Sequence, residues 1–349
     1  MRLLSRPLRF SVAAATAAAA VVVCSTSPAL AATTVTRVYG ADRVATAVAT
    51  AAAFTGRKAQ AVVLTRSDTY ADALAGAPLA ADKSGPLLLT STASLDPAVA
   101  VSLQDVLPTG GTVYLLGDTN ALSSDVETAV HELGFETVRL AGADRYATAV
   151  AIAEAMPQAD TVSVVTGQNF PDGLAAGAFM GVQDPDTTHA LGVVLLSDGT
   201  KLGTATSAYL GSRTFEVKYA VGGAAVSAVT TGASGTWDDL AGADRYATAA
   251  LVAQQFTSTG AFSDATTAVG VATGENWPDA MAGSALLAFE GGPMLLTRKD
   301  TLPTSTAQVL TALTEDATTA GTPISHALVF GSADAVSDAV YTQITAALQ

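Results

Sequence analysis

Apolar residues in this chain fall into short unbroken runs separated by alanine-rich stretches at helical spacing. Ala61-Val62-Val63-Leu64-Thr65, Leu87-Leu88-Leu89-Thr90 and residues 112–116 are apolar without alternation. A strand reads this way when both of its faces are covered, as in a parallel sheet. Between these runs the spacing predicts helices. One follows the Gly40-Ala41-Asp42 turn to about Phe54, and others run over residues 70–82, 95–106 and 123–133. A short strand ending at Arg37-Val38-Tyr39 leads in. Alternation of this kind predicts an α/β fold, with a mostly parallel sheet flanked by helices.

The whole pattern occurs three times. Gly40-Ala41-Asp42-Arg43 returns as Gly142-Ala143-Asp144-Arg145 and as Gly242-Ala243-Asp244-Arg245. Further on, Thr69-Tyr70-Ala71-Asp72 is matched by Asn169-Phe170-Pro171-Asp172 and Asn276-Trp277-Pro278-Asp279. Pro86-Leu87-Leu88-Leu89-Thr90 is echoed by Pro293-Met294-Leu295-Leu296-Thr297 and by Val193-Val194-Leu195-Leu196-Ser197. A fourth block, a strand ending in glycine, spans 113–117, 219–223 and 327–331. The boundaries this implies are 33–134, 135–235 and 236–349. No Pro- or Ser-rich linker divides the repeats, so they are expected to pack on one another. Residues 314–322 lengthen the third and read as a longer loop. Ser123, Ser227 and Ser337 read as helix caps after the fourth strand.

Residues 1–32 have a different character. Arg2, Arg6 and Arg9 precede an apolar run to Val23, and Ser27-Pro28-Ala29-Leu30-Ala31 supplies a small-residue cleavage site. That layout predicts a secretory signal peptide, and the apolar run is shorter than the ~20 residues of a membrane span. Cys24 is the sole cysteine, so after cleavage no disulfide or thiolate metal site is possible. No later apolar stretch reaches membrane-spanning length. The chain carries 17 basic against 31 acidic residues, and losing the three signal arginines makes it more acidic still. Such a surface argues against a nucleic-acid partner.

Catalytic signatures are missing. The sequence has no G-x-S-x-G, no phosphate loop ending in Gly-Lys-Ser/Thr and no G-x-G-x-x-G after a strand. His131, His189 and His326 occupy non-equivalent positions without ligand-spaced partners, so neither a metal nor a cofactor is expected. Asp184-Pro185-Asp186 reads as a turn. The recurring polar residues are the candidates instead. Asp42, Asp144 and Asp244 suit helix N-caps. Arg43, Arg145 and Arg245 lie where a cation opposes the helix dipole, so each needs a partner. That partner is either a recurring carboxylate, Asp72, Asp172 or Asp279, or an anionic ligand bound bidentately. Tyr70, Phe170 and Trp277 either plug the core or stack on a sugar ring. Asn169 and Asn276 either cap a helix or bond a sugar hydroxyl.

These ordered blocks, G-x-D-R-[YV]-x-T-A, N-[FW]-P-D-[AG]-[LM], P-[LM]-L-L-T and a strand ending in Gly, resemble the cell wall-binding repeat 2 family of Gram-positive surface proteins. The resemblance implies three Rossmann-like units around a pseudo-threefold axis. It also implies non-enzymatic, non-covalent anchoring, at the cell surface, to an anionic, teichoic-acid-like wall glycopolymer. Carried over by motif, the polymer-binding positions are Asp42, Arg43, Asp72, Tyr70 and their counterparts in the other repeats. The first repeat departs with Thr69, Ala71 and Val44, and the second with Gly192. Unequal participation of the three copies is therefore expected. Family members often carry an effector domain, and no residues are expected to remain for one here. The competing expectations are a wall-active hydrolase, requiring a polar set unique to one copy, and a self-assembling structural protein.

Overall fold

The computed structural model describes residues 33–54, 59–183, 189–258 and 268–349. Residues 1–32, expected to be a signal peptide, and Asp184-Pro185-Asp186, expected to be a turn, lie outside them. The first stretch runs β1 (Thr34–Val38), α1 (Arg43–Ala51), β2 (Ala61–Arg66), α2 (Gly76–Asp82), β3 (Leu87–Thr90), α3 (Pro97–Val106), β4 (Thr112–Leu116) and α4 (Ser124–Glu132). The second runs β5 (Glu136–Leu140), α5 (Arg145–Glu154), β6 (Thr161–Thr166), α6 (Pro171–Met180), β7 (Gly192–Asp198), β8 (Lys201–Leu202), α7 (Thr204–Ser212), β9 (Val217–Val221) and α8 (Gly223–Gly232). The third runs β10 (Asp238–Leu240), α9 (Arg245–Ser258), β11 (Ala268–Thr273), α10 (Pro278–Glu290), β12 (Met294–Thr297), α11 (Thr304–Thr319), β13 (His326–Phe330) and α12 (Asp338–Ala347).

The strands form three sheets, ordered β3-β2-β4-β5, β10-β9-β6-β7-β8 and β1-β13-β11-β12. All pairings between these strands are parallel except the short β7–β8 contact. Strands β2, β6 and β11 lie inside their sheets and are buried on both faces, as their unbroken apolar composition requires, while the apolar run Leu87–Thr90 is an equally buried edge strand. The leading strand of each repeat does not join the sheet of its own repeat. Strand β5 pairs with β4, β10 with β9, and β1 with β13 at the far end of the chain. Each sheet is therefore completed by the repeat that follows, and the cycle closes from the third repeat back to the first.

Helices α2, α6 and α10 pack on one another where the repeats meet. Their small residues allow the close approach. A Cβ on Gly173 would lie 2.5 Å from Leu74, and one on Gly181 would lie 2.7 Å from Ala288. The strand β1 is clipped in place by Arg37, whose guanidinium donates to the carbonyls of Gly331 and Val336 and to Asp338.

Three local expectations need correction. Residues 314–319 continue α11 rather than forming a loop, because Val309, Leu310, Leu313 and Ala317 bury one face at helical spacing. Ser123 and Ser337 cap α4 and α12, but Ser227 lies inside α8 and donates to the Gly223 carbonyl. Helix α2 starts at Gly76 rather than at Tyr70, since Ala71 replaces the proline that opens α6 and α10 at Pro171 and Pro278.

Val35 and Val38 of β1 pack against the apolar core. A chain lacking residues 33–39 loses this contact and leaves β13 as an open edge. It is expected to lose on the order of 2–4 kcal/mol of stability and to elute partly as dimers through edge pairing. An unchanged melting temperature with a single monomeric peak on size exclusion would contradict this.

Candidate functional site

The Gly-Ala-Asp-Arg turn is a closed local unit. Gly40 N donates to Thr46 Oγ1 at 3.0 Å, Gly142 N to Thr148 Oγ1 at 3.2 Å and Gly242 N to Thr248 Oγ1 at 3.1 Å. The turn folds so tightly that a Cβ on Gly142 would lie 2.3 Å from Ala147. Asp42 accepts from Ala45 N, while Asp144 and Asp244 each accept from two backbone N–H groups of their helix. These three exposed aspartates are N-caps.

The arginines that follow reach across to the preceding repeat. Each first donates through Nη1 to a carbonyl of its own repeat: Arg43 to Ser67 at 2.8 Å, Arg145 to Gly167 at 2.7 Å and Arg245 to Gly274. Each guanidinium then covers an aromatic ring of the preceding repeat. Arg145 lies 5.8 Å from the Tyr70 centroid, Arg245 5.7 Å from Phe170 and Arg43 5.5 Å from Trp277. Cation–π contacts of this kind contribute about 0.5–2 kcal/mol. The neighbouring carboxylates follow the same cycle: Arg145 faces Asp72, Arg245 faces Asp172 and Arg43 faces Asp279. Among the described residues none of these couples closes to ion-pair contact. The sequence offered the carboxylate as a partner without saying which repeat supplies it. Strand exchange between sheets answers that, by seating each turn on the edge of the preceding repeat.

All three carboxylates are pushed above the usual carboxylate range by burial. Each sits against a left-handed glycine at the end of its sheet: Gly117 (φ 92°), Gly222 (φ 89°) and Gly331 (φ 105°). A Cβ on Gly222 would lie 2.0 Å from Asp172 Oδ2, so glycine and aspartate recur together. The Thr148 hydroxyl opposes the shift at Asp72, and Thr46 opposes it at Asp279. Only Arg245 opposes it at Asp172, which is raised to about 6.

The aromatics converge. Tyr70 meets Phe170 edge-on at 5.6 Å and Trp277 at 6.4 Å, and its hydroxyl donates to the Gln168 carbonyl. Trp277 is buried and the other two are half-buried. The side chains of Asn169 and Asn276 are exposed and accept from the N–H of the very next residue, rather than from deeper in the helix. Asn169, Asp172, Asp244 and Arg245 come together in a cavity of about 780 Å³ between the second and third repeats. It lies beyond the carboxyl ends of β6, β7 and β9, where the strand order reverses, the position at which open α/β sheets bind ligands. Its wall also holds Asp198, which accepts from Tyr146 Oη at 2.8 Å and Gln168 Nε2 at 2.7 Å. Burial and that carboxylate push the Tyr146 hydroxyl up to about 12.

Two further recurring arginines escaped the sequence reading. Arg37 and Arg139, three residues before each turn, strap the loop that follows the fourth strand; Arg139 donates to the carbonyls of Gly117 and Asp118 and to Glu127. Asp239 stands at the third such position. There the second repeat has no loop to strap, because α8 begins directly after Gly222. The joint loss of arginine and loop was the available signal.

A raised folded-state pKa means that the folded protein binds a proton more tightly than the unfolded chain. Asp172 therefore lowers stability as pH climbs from about 4 through 6. Asp172→Asn removes that dependence. The variant is expected to gain on the order of 2–3 kcal/mol relative to the parent between pH 4 and pH 7.5, read from urea midpoints. A stability difference independent of pH would overturn the assignment.

A model for cell wall binding domain 2 matches residues 37–127, 139–230 and 240–341. N-acetylmuramoyl-L-alanine amidase LytC of Bacillus subtilis is 27% identical over 317 residues, 90% of this chain and 59% of the amidase. The amidase enhancer of the same organism is 30% identical over 118 residues, 34% of this chain and 16% of the enhancer. Among solved structures, Cwp6 from Clostridium difficile superposes with a TM-score of 0.74 at 21% identity, covering 91% of this chain and 48% of that one. Cwp8 from the same organism gives 0.71 at 22% identity, covering 90% and 51%. The chain spans about half to three-fifths of the length of LytC, Cwp6 and Cwp8. Three matched repeats on a mixed α/β fold with parallel sheets make this chain a member of the cell wall binding domain 2 family.

Proposed function

We propose that the chain is an exported, non-enzymatic anchor that holds the Gram-positive wall through an anionic secondary glycopolymer, bound at its three repeat junctions. The observation that carries this reading is the triple recurrence of one composite arrangement. At every junction an arginine from one repeat covers an aromatic ring and lies near a half-buried carboxylate of the preceding one. A polymer of repeating units suits a receptor of repeating sites, since linked weak contacts multiply into avidity. The guanidinium groups supply local positive charge within an acidic chain. Among the described residues no helix is long and apolar enough to cross a membrane, and no histidine, cysteine or acidic cluster is set up to hold a metal. Cell wall binding is also what the matched domain is named for.

Sedimentation with purified walls tests the proposal. The protein is expected to sediment with native walls, and to lose at least about tenfold in apparent affinity on walls stripped of secondary polymer. Equal binding to both preparations sinks the polymer reading. Release of soluble wall fragments by the purified protein would establish hydrolysis in its place.

A further inference from the structure

The three junctions share their chemistry and differ in the loop that follows the fourth strand. In the first repeat the loop 117–123 separates β4 from α4, and its Asp118 lies close enough to Asp72 to repel it. The third repeat has the loop 331–337 in the same place. The second has neither loop nor strapping arginine, and the cavity opens there. Gly223 lines it, and a Cβ at that position would meet nothing within 4 Å.

Asp172 and Arg245 thus face one cavity without touching. A group that joins them must accept from a guanidinium and donate to a carboxylate. A phosphate does the first and is repelled by the second, and an ammonium does the reverse. A hydroxyl does both. The rest of the lining points the same way. Asp198 and Asp244 join Asp172 against Lys201 and Arg245, so carboxylates outnumber cations. Gln168 and Asn169 add amides that accept and donate. The volume is within the range of small-molecule sites, about 300–1,000 Å³.

We propose that the cavity between the second and third repeats is a receptor for one uncharged, hydroxyl-bearing sugar residue, held by a hydroxyl that bridges Asp172 and Arg245. This rests on the wall-glycopolymer reading and adds that the sugar, rather than the charge, is recognised at this junction. The first and third junctions keep their loops and are left to other parts of the polymer.

Saturation-transfer NMR on the full chain tests the assignment, with glucose, galactose, mannose and N-acetylglucosamine as probes and inorganic phosphate as competitor. Gly223→Phe fills the cavity from a position with room for a side chain, and Gly223→Ala is its control. At least one sugar is expected to show transfer with the parent and with Gly223→Ala. That transfer is expected to fall to background with Gly223→Phe and to persist in equimolar phosphate. Asp172→Asn keeps the shape of the site while removing the charged acceptor, so it stands in if Gly223→Phe fails to fold. It is expected to weaken binding at least about tenfold. Transfer from no sugar, transfer undiminished in Gly223→Phe or in Asp172→Asn, or displacement by phosphate each overturns the proposal. Wall sedimentation is measured on the same samples. A parent that sediments but shows no sugar transfer defeats the cavity assignment alone. A parent that takes up sugar but does not sediment upholds the cavity and defeats the wall-binding reading.

Discussion

Every junction in this protein depends on parallel pairing between the leading strand of one repeat and the final strand, in sequence, of the repeat it completes. Because the pairing is parallel, the leading strand ends at the same edge as the carboxyl ends of its new neighbours. The Gly-Ala-Asp-Arg turn that follows is therefore delivered to the carboxyl edge of the preceding repeat's sheet, the edge at which open α/β sheets bind ligands. Its arginine lands over that repeat's aromatic and beside its carboxylate. Antiparallel pairing would carry the turn to the opposite edge, and the shared site would not exist.

What the sequence shows well is what local chemistry decides. Unbroken apolar runs mark strands covered on both faces, and aspartate before an alanine-rich stretch marks a cap, so the α/β order, the three copies and the roles of Asp42, Asp144 and Asp244 are all legible. Partnership between repeats is not, since nothing local tells Arg145 that its carboxylate is Asp72. Some of the missing information lay in correlated differences. Tyr146 and Tyr246 press on Gly167 and Gly274, where a Cβ would lie 2.9 Å from the ring, while the first repeat has Val44 and can carry Ser67. Arg37 and Arg139 go with a loop, and Asp239 goes with its loss. Each pair is a single packing solution written at two places in the chain.

The energetics of the junctions are a balance of local penalties against shared contacts. A cation in the first turn of a helix opposes the dipole by about 0.3–1 kcal/mol. The carbonyl, the ring and the neighbouring carboxylate together offset that, and two of those three belong to the preceding repeat. The carboxylates are disfavoured by burial in turn, most clearly at Asp172. A group held in an unfavourable charge state where a cavity opens is the pattern expected of a site maintained for binding rather than for stability.

The pairing of Thr34 with His326 has a temporal meaning as well as a spatial one. Contacts between the two ends of a long chain are the last that loop-closure entropy permits, and they slow folding. The first and second sheets can form as their strands emerge, but the third lacks its edge until the earliest strand of the described fold returns to it. The three-repeat cycle therefore has a seam, and that seam is the last part of the cycle to close.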